Sequence, residues 1–564
     1  MKIINSIVIL FLLICGLYSQ LLGQSTAERV YTITQAKCVG CHNPTDMAGG
    51  LDLQGSGTSL PAQMADVRAH LYDINSANAV SGAKGHRIVY PGDPYRSTLF
   101  RKINNGLAAD DVLEAGEESE GSPHNQTATL LSDLEKETIR QWIIYGAAST
   151  DAVPHELLEQ FYAGGGYWGV APENIPAKPG PEQGFQIHFG PLFLAPDPGS
   201  TDANVEFFSR YITPLLENRD VVRLESFIGS SHHLILYKYQ DGQGTEVPPG
   251  LRTNGMQGST KMVVGWQSPG YNDLELPAGT AFRWEAGGCI DIDAHIINFS
   301  NTSILANDMY VNVYTAPAGT AAQEMHSDLL IYPLLYIPND GQPHSFEFNY
   351  PYFGAQDQTI YVWALSSHTH QLATDYDVWL NRPDGTLGEH IFDGSCEGGL
   401  PTNNEIGYDY QHPPTRVWEP FLTLDLNYGL HSKATYLNNG PIPLVTWGET
   451  NNDEMMITGV LYVTDTTGIN FNTPTAIDES LNRVENYYLF PNPAQDRLYL
   501  QMPYSSSTRH IAICDLSGKI ILDRITPPGE GICLLDTSDL PRGMYIYTID
   551  NNEKQMAKGK LLIK

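Results

Sequence analysis

A long region of short β-prone runs separated by turns most restricts what this chain can fold into. It extends from residue 185 to about residue 465, and its runs, such as 185–189 and 359–363, are too short for helices and rich in β-branched and aromatic residues. Turns at this density need Gly and Pro, and the chain of 564 residues contains 52 Gly and 37 Pro. The region is longer than one sandwich requires, so we predict two β-sandwiches, at 185–317 and 318–465.

The residues before this region predict a small helical domain over 24–150. Residues 131–145 place apolar side chains at helical spacing. Ser132 precedes them as an N-cap, Glu135 follows three residues later as in a capping box, and Gly146 stands where a C-cap is expected. We therefore expect a multidomain, mainly β protein with one small α-helical domain.

The remaining segments predict connections and ends. Residues 151–184 are rich in Gly and Pro and residues 466–485 are polar, as is typical of linkers. The last segment, 486–564, predicts a smaller, immunoglobulin-like β-sandwich. Residues 1–23 predict a signal peptide, because Lys2 precedes an apolar run that is too short for a comfortable membrane span.

Charge and cysteine content restrict the partners and the compartment. The formal net charge of −32 argues against nucleic acid as a partner and against binding to anionic membranes through bulk charge. Export makes disulfide bonds permissible. Four cysteines divide by position into a pair in the central β region and a pair in the tail, with free thiols as the alternative. The pairs are Cys289 with Cys396, and Cys514 with Cys533.

Residues 38–42 read Cys-Val-Gly-Cys-His, the attachment motif of a c-type haem. In this motif Cys38 and Cys41 form thioethers to the porphyrin, and His42 takes one axial position on the iron. A zinc or disulfide pair with an incidental histidine is the alternative. No second Cys pair or His pair at zinc spacing accompanies the motif in the sequence, so we predict one covalently bound haem c.

Around this motif, residues 30–147 resemble the small cytochrome c domain that is often fused to enzymes in environmental bacteria. The matching stretches are 49–53, 89–99 and 142–147. Such domains commonly place a Met-Pro pair before the last helix, and its methionine is the sixth iron ligand.

This chain departs from the cytochrome pattern at that place, where residues 122–124 read Ser-Pro-His. We therefore predict His124 as the distal haem ligand, with Met64 and Met47 as alternatives. Coordination by two histidines lowers the reduction potential relative to coordination by histidine and methionine.

Clusters of metal-ligand side chains lie along the β region. In chain order they are His232 and His233, then His295, then His368 and His370, then Asp453, Glu454 and Met455. Side chains two apart on a strand share one face, so His368 and His370 can reach one metal. Adjacent His232 and His233 share a metal only at a strand edge or bulge, or through different ring nitrogens. Imidazole binds copper in both oxidation states, whereas a thioether favours Cu(I).

The order of these clusters over about residues 185–465 resembles that of the copper type II, ascorbate-dependent monooxygenases, the group of peptidylglycine α-hydroxylating and dopamine β-monooxygenases. The resemblance implies two copper ions on two facing jelly-roll-like sandwiches. The electron-transfer copper would be held by His232, His233 and His295. The catalytic copper, which binds O2, would be held by His368, His370 and Met455. Met456, the neighbour of Met455, is expected to point into the core.

The resemblance implies a monooxygenase that inserts one oxygen atom of O2 into a C–H bond of a small organic substrate. Peptide-amidating members grip a carboxylate with an arginine, and residues 365–367 before the first of the paired histidines read Leu-Ser-Ser, so a peptide C terminus is not expected as substrate. Ascorbate, a redox protein or the chain's own haem would supply electrons. The alternative is a non-catalytic extracellular electron-transfer protein that binds copper.

Residues 486–564 resemble the C-terminal sorting domain of the Bacteroidetes type IX secretion system. The resemblance is carried by the stretches 488–494, 515–519, 540–545 and 558–560. It implies that the type IX machinery exports the chain through the outer membrane, to the cell surface or beyond. The tail is expected to take no part in catalysis.

Overall fold

The structure is a computed structural model of the chain. The residues it describes are 25–108, 111–118, 124, 130–149, 153–170, 175–196, 204–229, 231–266, 271–298, 300–351, 356–401, 406–410, 413–448, 452–469, 471, 488–490, 497–501, 508–515, 519–526, 532–538, 540–551 and 554–563. The predicted signal peptide and most of the predicted linker at 466–485 lie outside them. The chain is multidomain and mainly β, as predicted.

Two compact units make up the chain. The first contains the chain up to Gly166 together with two later segments, Ser209–Tyr211 and Val247–Asn254, and the second contains the rest. Within the described residues, no helix combines the length and the apolar character that a membrane span requires.

The first unit is helical. Its helices are α1 (Thr26–Lys37), α2 (Leu60–Leu71), α3 (Ala79–Ala83), α4 (Thr98–Asn104), α5 (Asp133–Ile144) and α6 (His155–Gln160). Short 3-10 turns occupy Ala48–Gly50 and Pro94–Arg96, and a π turn follows α6 at Phe161–Gly165. Helix α6 and the π turn give regular structure to part of the segment 151–184, for which we predict a linker.

Helix α5 carries the core of this unit. Its capping box is confirmed: the amide of Ser132 donates to the Glu135 carboxylate (2.7 Å), and the Glu135 amide donates to the Ser132 hydroxyl (3.2 Å). Gly146 follows the helix with a φ of 83°, a conformation that favours glycine. Trp142 and Ile143 of α5 are buried in the core of the unit with Phe100 of α4.

The strands of the chain group into three regions along the sequence. The first region contains β1 (Gly166–Trp168), β2 (Gly184–Leu194), β3 (Asn204–Ile212), β4 (Arg219–Phe227), β5 (Ser231–Tyr239), β6 (Leu251–Arg252), β7 (Thr260–Trp266), β8 (Tyr271–Glu275), β9 (Thr280–Trp284), β10 (Cys289–Ile297), β11 (Ile304–Pro317) and β12 (Gln323–Glu324). One sheet has the order β1-β11-β4-β9-β12, with β2 joined to β11 and β8 joined to β4; the other contains β3-β10-β5-β7.

The second region contains β13 (His326–Ile331), β14 (Tyr336–Pro338), β15 (Pro343–Tyr350), β16 (Thr359–His368), β17 (Ala373–Asn381), β18 (Leu387–Asp393), β19 (Thr415–Asp425), β20 (Leu430–Leu437), β21 (Leu444–Thr446) and β22 (Ile457–Val463), with a 3-10 turn at Glu397–Gly399. Its main sheets are β13-β22-β16-β19 and β15-β20-β17-β18, and β14 pairs with β21. Val362 and Val460 of the first sheet share a core with Val378 and Ala434 of the second, so the region is a β-sandwich.

The tail contains β23 (Tyr488–Phe490), β24 (Arg497–Gln501), β25 (Arg509–Cys514), β26 (Ile520–Thr526), β27 (Ile532–Asp536), β28 (Gly543–Asn551) and β29 (Lys554–Ile563). Its sheets are β23-β24-β27 and β26-β25-β28-β29. Leu500 and Leu535 of one sheet share a core with Ile511 and Ile549 of the other, so the tail too is a small β-sandwich.

The disulfide prediction is wrong, since none of the six described cysteines is disulfide-bonded. Cys289 is buried on β10 of the first region, and Cys396 is buried after β18 of the second, where its thiol contacts a carboxylate oxygen of Asp393 (3.2 Å). In the tail, Cys514 lies on β25 and Cys533 on β27, which belong to different sheets. Position in the sequence grouped cysteines that the fold places on different sheets or in different regions.

Candidate metal centres

The haem-attachment motif forms a single turn at the end of α1. Cys38 is the C-cap of that helix, and the amides of Cys41 and His42 both donate to its carbonyl oxygen, at 3.1 and 3.0 Å. Burial, with a smaller contribution from Cys41, raises the pKa of the Cys38 thiol to about 11. The turn therefore holds both thiols and the imidazole on one short stretch of backbone.

The imidazoles of His42 and His124 face each other. Their ring centroids are 5.9 Å apart and their planes differ by 16°. The structure therefore places the predicted distal ligand beside the histidine of the attachment motif.

Hydrogen bonds at Nδ1 orient both rings. Nδ1 of His42 lies 2.8 Å from the carbonyl oxygen of Ala48, and Nδ1 of His124 lies 2.5 Å from Oε1 of Glu118. Burial lowers the pKa of His42, against the effect of the Ala48 hydrogen bond. A histidine fixed through Nδ1 presents Nε2, an arrangement common among metal ligands. Among the alternatives, Met47 is exposed and Met64 is half-buried on α2.

The acidic segment before His124 is anchored to the core of the unit. The sequence favours a solvated loop at 110–120, and that expectation is wrong for Asp111 and Glu117, which are buried. Both form ion pairs with the buried guanidinium of Arg101, whose Nε is 3.0 Å from Asp111. Burial of the two carboxylates is possible because a cation inside the unit pairs with them.

The first pair of predicted copper ligands lies across two neighbouring strands. His233 of β5 and His295 of β10 are register partners, and their ring centroids are 5.2 Å apart. The next register pair joins Ile296 to Ser231, so His232 is an extra residue on β5, a β-bulge. A bulge is one of the backbone irregularities that adjacent histidines need to share a metal. The side chain of His232 lies outside the described residues.

The second pair of histidines lies where β16 ends. His368 is the last residue of β16, and its ring centroid is 5.5 Å from that of His370. The His368 ring is also 6.0 Å from that of His233. Histidines from the first and second regions therefore form one contiguous cluster, which we call the histidine cluster: His233, His295, His368 and His370.

A buried carboxylate ties the second pair to the methionine segment. Glu454 is fully buried and accepts hydrogen bonds from the amides of His370 (2.9 Å), Leu372 (2.6 Å) and Met455 (3.2 Å). Nδ1 of His370 lies 3.0 Å from the carbonyl oxygen of Asp453. Burial raises the pKa of Glu454 to about 7, although the three amides act in the opposite direction.

The two methionines of this segment differ in their surroundings. Met456 is fully buried in the core of the second sandwich, as expected, whereas Met455 is half-buried. The carbonyl oxygen of Met455 accepts a hydrogen bond from the Tyr436 hydroxyl (2.8 Å). Met455 is therefore held at the backbone on the segment that contacts His370.

A half-buried tyrosine fixes the residue between the paired histidines. The hydroxyl oxygen of Tyr408 lies 2.9 Å from Oγ1 of Thr369 and 3.4 Å from Oγ of Ser367, and Thr369 is fully buried. Burial raises the pKa of Tyr408 to about 12, so it remains a neutral hydrogen-bonding group. Sequence reasoning did not identify Tyr408, which is 38 or more residues distant from the histidines and belongs to no motif.

Two carboxylates beside His233 were also missed. Oε1 of Glu206 lies 3.2 Å, and Oδ1 of Asp293 lies 3.8 Å, from Nε2 of His233. Burial lowers the pKa of His233, but the two carboxylates outweigh it and raise the pKa to about 9; burial raises the pKa of Asp293 to about 7. Asp293 precedes His295 by two residues on β10, a spacing that predicts a shared face, whereas Glu206 on β3 has no signal in the sequence.

Comparison with known proteins identifies the tail. Residues 488–564 match the model of the secretion system C-terminal sorting domain. The chain is therefore exported by type IX secretion, to the cell surface or the extracellular space, as predicted. A comparison with curated proteins gives no match.

Solved structures give only weak likenesses. Domains 3 and 4 of rat CD4 are 9% identical, with 40% of this chain and 95% of that chain covered and a TM-score of 0.11. A β-glucuronidase of Ruminococcus gnavus in complex with uronic isofagomine is 10% identical, with 39% of this chain and 34% of that chain covered and a TM-score of 0.11. Neither likeness bears on the chemistry of this chain.

Proposed function

We propose that this chain is a secreted copper-dependent monooxygenase that hydroxylates a C–H bond of a small organic substrate with O2. The histidine cluster carries the proposal. Its members come from three places far apart in sequence, namely β5, β10 and the end of β16, yet neighbouring rings lie 5.2 to 6.0 Å apart. Imidazoles gathered in this way are suitable ligands for copper.

The resemblance divides the proposed ligands into two sets. The electron-transfer ion would be held by His232, His233 and His295, and the O2-binding ion by His368, His370 and Met455. Bound copper supplies one-electron redox chemistry and activation of O2. The protein holds the ligands in place: Glu454 fixes the backbone of His370 and Met455, and Tyr408 fixes Thr369.

The first unit is proposed to supply electrons through a haem c. Cys38 and Cys41 would form the thioethers, and His42 and His124 would be the axial ligands, as the proximity of the two imidazoles supports. Stopped-flow mixing of the reduced chain with oxidant tests this role. We expect haem reoxidation to accelerate when copper is loaded, and a rate independent of copper would leave ascorbate or a redox protein as the donor.

Metal content tests the copper sites. We expect about two coppers and one haem per mature chain, and we expect Met455→Ala to lose Cu(I) binding at one site because the thioether favours that ion. Met256→Ala, at an exposed methionine of the first sandwich, is the control and retains both ions. Haem without copper, or copper binding that is indifferent to Met455, would favour the non-catalytic electron-transfer alternative.

Turnover tests the reaction itself. The copper-loaded chain, a reductant and isotopically labelled O2 are incubated with a panel of small organic substrates. One labelled oxygen atom in a hydroxylated product supports the proposal, whereas hydrogen peroxide alone, with every substrate unchanged, would contradict it.

A further inference from the structure

Two carboxylates converge on His233 from neighbouring strands. Glu206 lies on β3 and Asp293 on β10, on which His295 also lies. The ligand-type atoms of Glu206, His233 and Asp293 all lie within 4.8 Å of one another. Three possible metal ligands, one from each of three adjacent strands, therefore lie close together.

Hydrogen bonding alone does not account for both carboxylates. Nε2 of an imidazole carries at most one proton, and Glu206, at 3.2 Å, is placed to accept it. Asp293, which is 4% exposed, lies 3.8 Å from the same nitrogen, beyond hydrogen-bonding distance. Its Oδ1 has no hydrogen-bond partner among the described residues. This oxygen is paired only electrostatically, with the His233 ring at 3.8 Å, and a divalent ion bound among the three side chains would give it a ligand bond.

We propose that Glu206 and Asp293 are ligands of the metal ion held by His233, so that this centre is a mixed imidazole–carboxylate site. The inference rests on the proposed function for the presence of a metal at His233, but it changes the ligand set there. Two carboxylates balance the charge of a divalent ion, and their hard oxygen atoms suit Cu(II) better than Cu(I). The centre therefore binds Cu(II) in preference to Cu(I).

Neutral variants of the full mature chain test the inference. Glu206→Gln and Asp293→Asn are prepared separately, each with His370→Ala so that the other predicted site lacks one ligand. Cu(II) affinity, Cu(I) affinity and the Cu(II) electron paramagnetic resonance spectrum are measured. We expect each variant to bind Cu(II) about 10- to 100-fold more weakly, the order of loss seen even for outer-shell partners, with little change for Cu(I). We also expect altered copper hyperfine splitting.

The matched control is Asp308→Asn in the same His370→Ala background. Asp308 pairs with His188 (2.7 Å) on a neighbouring strand of the first region. Among the described residues, no third side chain of a metal-ligand type joins this pair. It should leave Cu(II) binding unchanged. Thermal melting of the apo-proteins shows whether each variant folds, and the two carboxylates come from different strands, so failure of one variant leaves the other informative.

Outcomes separate this inference from the proposed function. An unchanged Cu(II) spectrum in both variants would show that the carboxylates only orient His233 and would overturn the inference. Cu(II) binding that depends on both carboxylates, in a chain that hydroxylates no substrate, would support the inference and contradict the monooxygenase proposal.

Discussion

The two imidazoles of the first unit differ in what their Nδ1 atoms contact. His42 contacts a backbone carbonyl oxygen, whereas His124 contacts the carboxylate of Glu118, which is a stronger acceptor. A carboxylate partner makes an imidazole more basic and a better donor to an oxidised metal. Glu118 is thus the side chain most directly placed to adjust a haem bound between these rings.

Replacement of this carboxylate should raise the haem reduction potential. In Glu118→Gln the partner of His124 becomes a neutral amide, and the ferric state loses donor strength. A tenfold loss of relative affinity for ferric iron corresponds to about 59 mV for one electron, and we expect a rise of that order in a potentiometric titration. Glu114→Gln, at a largely exposed carboxylate that pairs with Lys84, is the control and should not shift the potential.

Asp377 makes the stability of the second sandwich depend on pH. Burial, together with Asp375 and Asp393, raises the pKa of Asp377 to about 6, against the attraction of His390. Because the folded-state pKa lies above the unfolded value, the contribution of this group to stability is present in full below about pH 4 and is lost as pH rises through 6.

Asp377→Asn tests this dependence, since an amide does not ionise and its oxygen still accepts a hydrogen bond from His390. We expect the stability of the variant relative to the native chain to increase between pH 4 and 7. Denaturant unfolding at several pH values measures the difference. A constant difference across that interval would contradict the assignment.

At the scale of elements, the acidic segment 111–118, which precedes His124 in the sequence, depends on α4. Arg101 of α4 donates to Asp111 and to the carbonyl oxygen of Val112 (3.0 Å each) and also contacts Glu117, and Asn78 donates to the carbonyl oxygens of Gly116 (2.9 Å) and Glu117 (3.1 Å). A helix therefore fixes the acidic segment next to the predicted distal ligand.

Arg101→Met should destabilise the first unit, because it removes the guanidinium that pairs with two buried carboxylates, of which Glu117 keeps only the more distant Lys84 and His86. Loss of one partner from a buried ion pair costs about 3–5 kcal/mol, which denaturant unfolding can measure. In the haem-loaded chain the same variant should weaken the low-spin spectrum expected of two axial histidines. Arg87→Met, at a partly exposed ion pair with Asp73, is the control and should cost only about 0–1 kcal/mol.

Features that depend on residues close together in the sequence were predictable from it. The capping box at Ser132 and Glu135 depends on four consecutive residues, and the pairing of His368 with His370 depends on two-residue spacing. Glu454 is adjacent to Met455 in sequence, but its contact with the amide of His370 spans 84 residues and has no local signal. The prediction that Cys289 pairs with Cys396 was wrong, because the fold, and not distance along the sequence, determines which thiols come into contact.

At the scale of the whole molecule, the sorting domain is a small β-sandwich with its own core, built from residues of both its sheets. Deletion of 488–564 should abolish appearance of the chain at the cell surface and in the medium. Immunoblots of cell fractions measure this, and a variant that keeps the tail but carries His370→Ala should be exported normally. Surface delivery of the truncated chain would contradict a sorting role for these residues.

Because His232 is an extra residue at a bulge, this predicted metal ligand can be lost without disturbing the pairing of the two strands. On either side of His232, β5 and β10 keep the pairing that an uninterrupted ladder would have, with His233 opposite His295 and Ser231 opposite Ile296. Loss of the single codon for His232 would therefore remove one predicted ligand and leave a regular pair of strands. A lineage that does not need the metal could lose that ligand through one in-frame deletion and keep the pairing of β5 with β10.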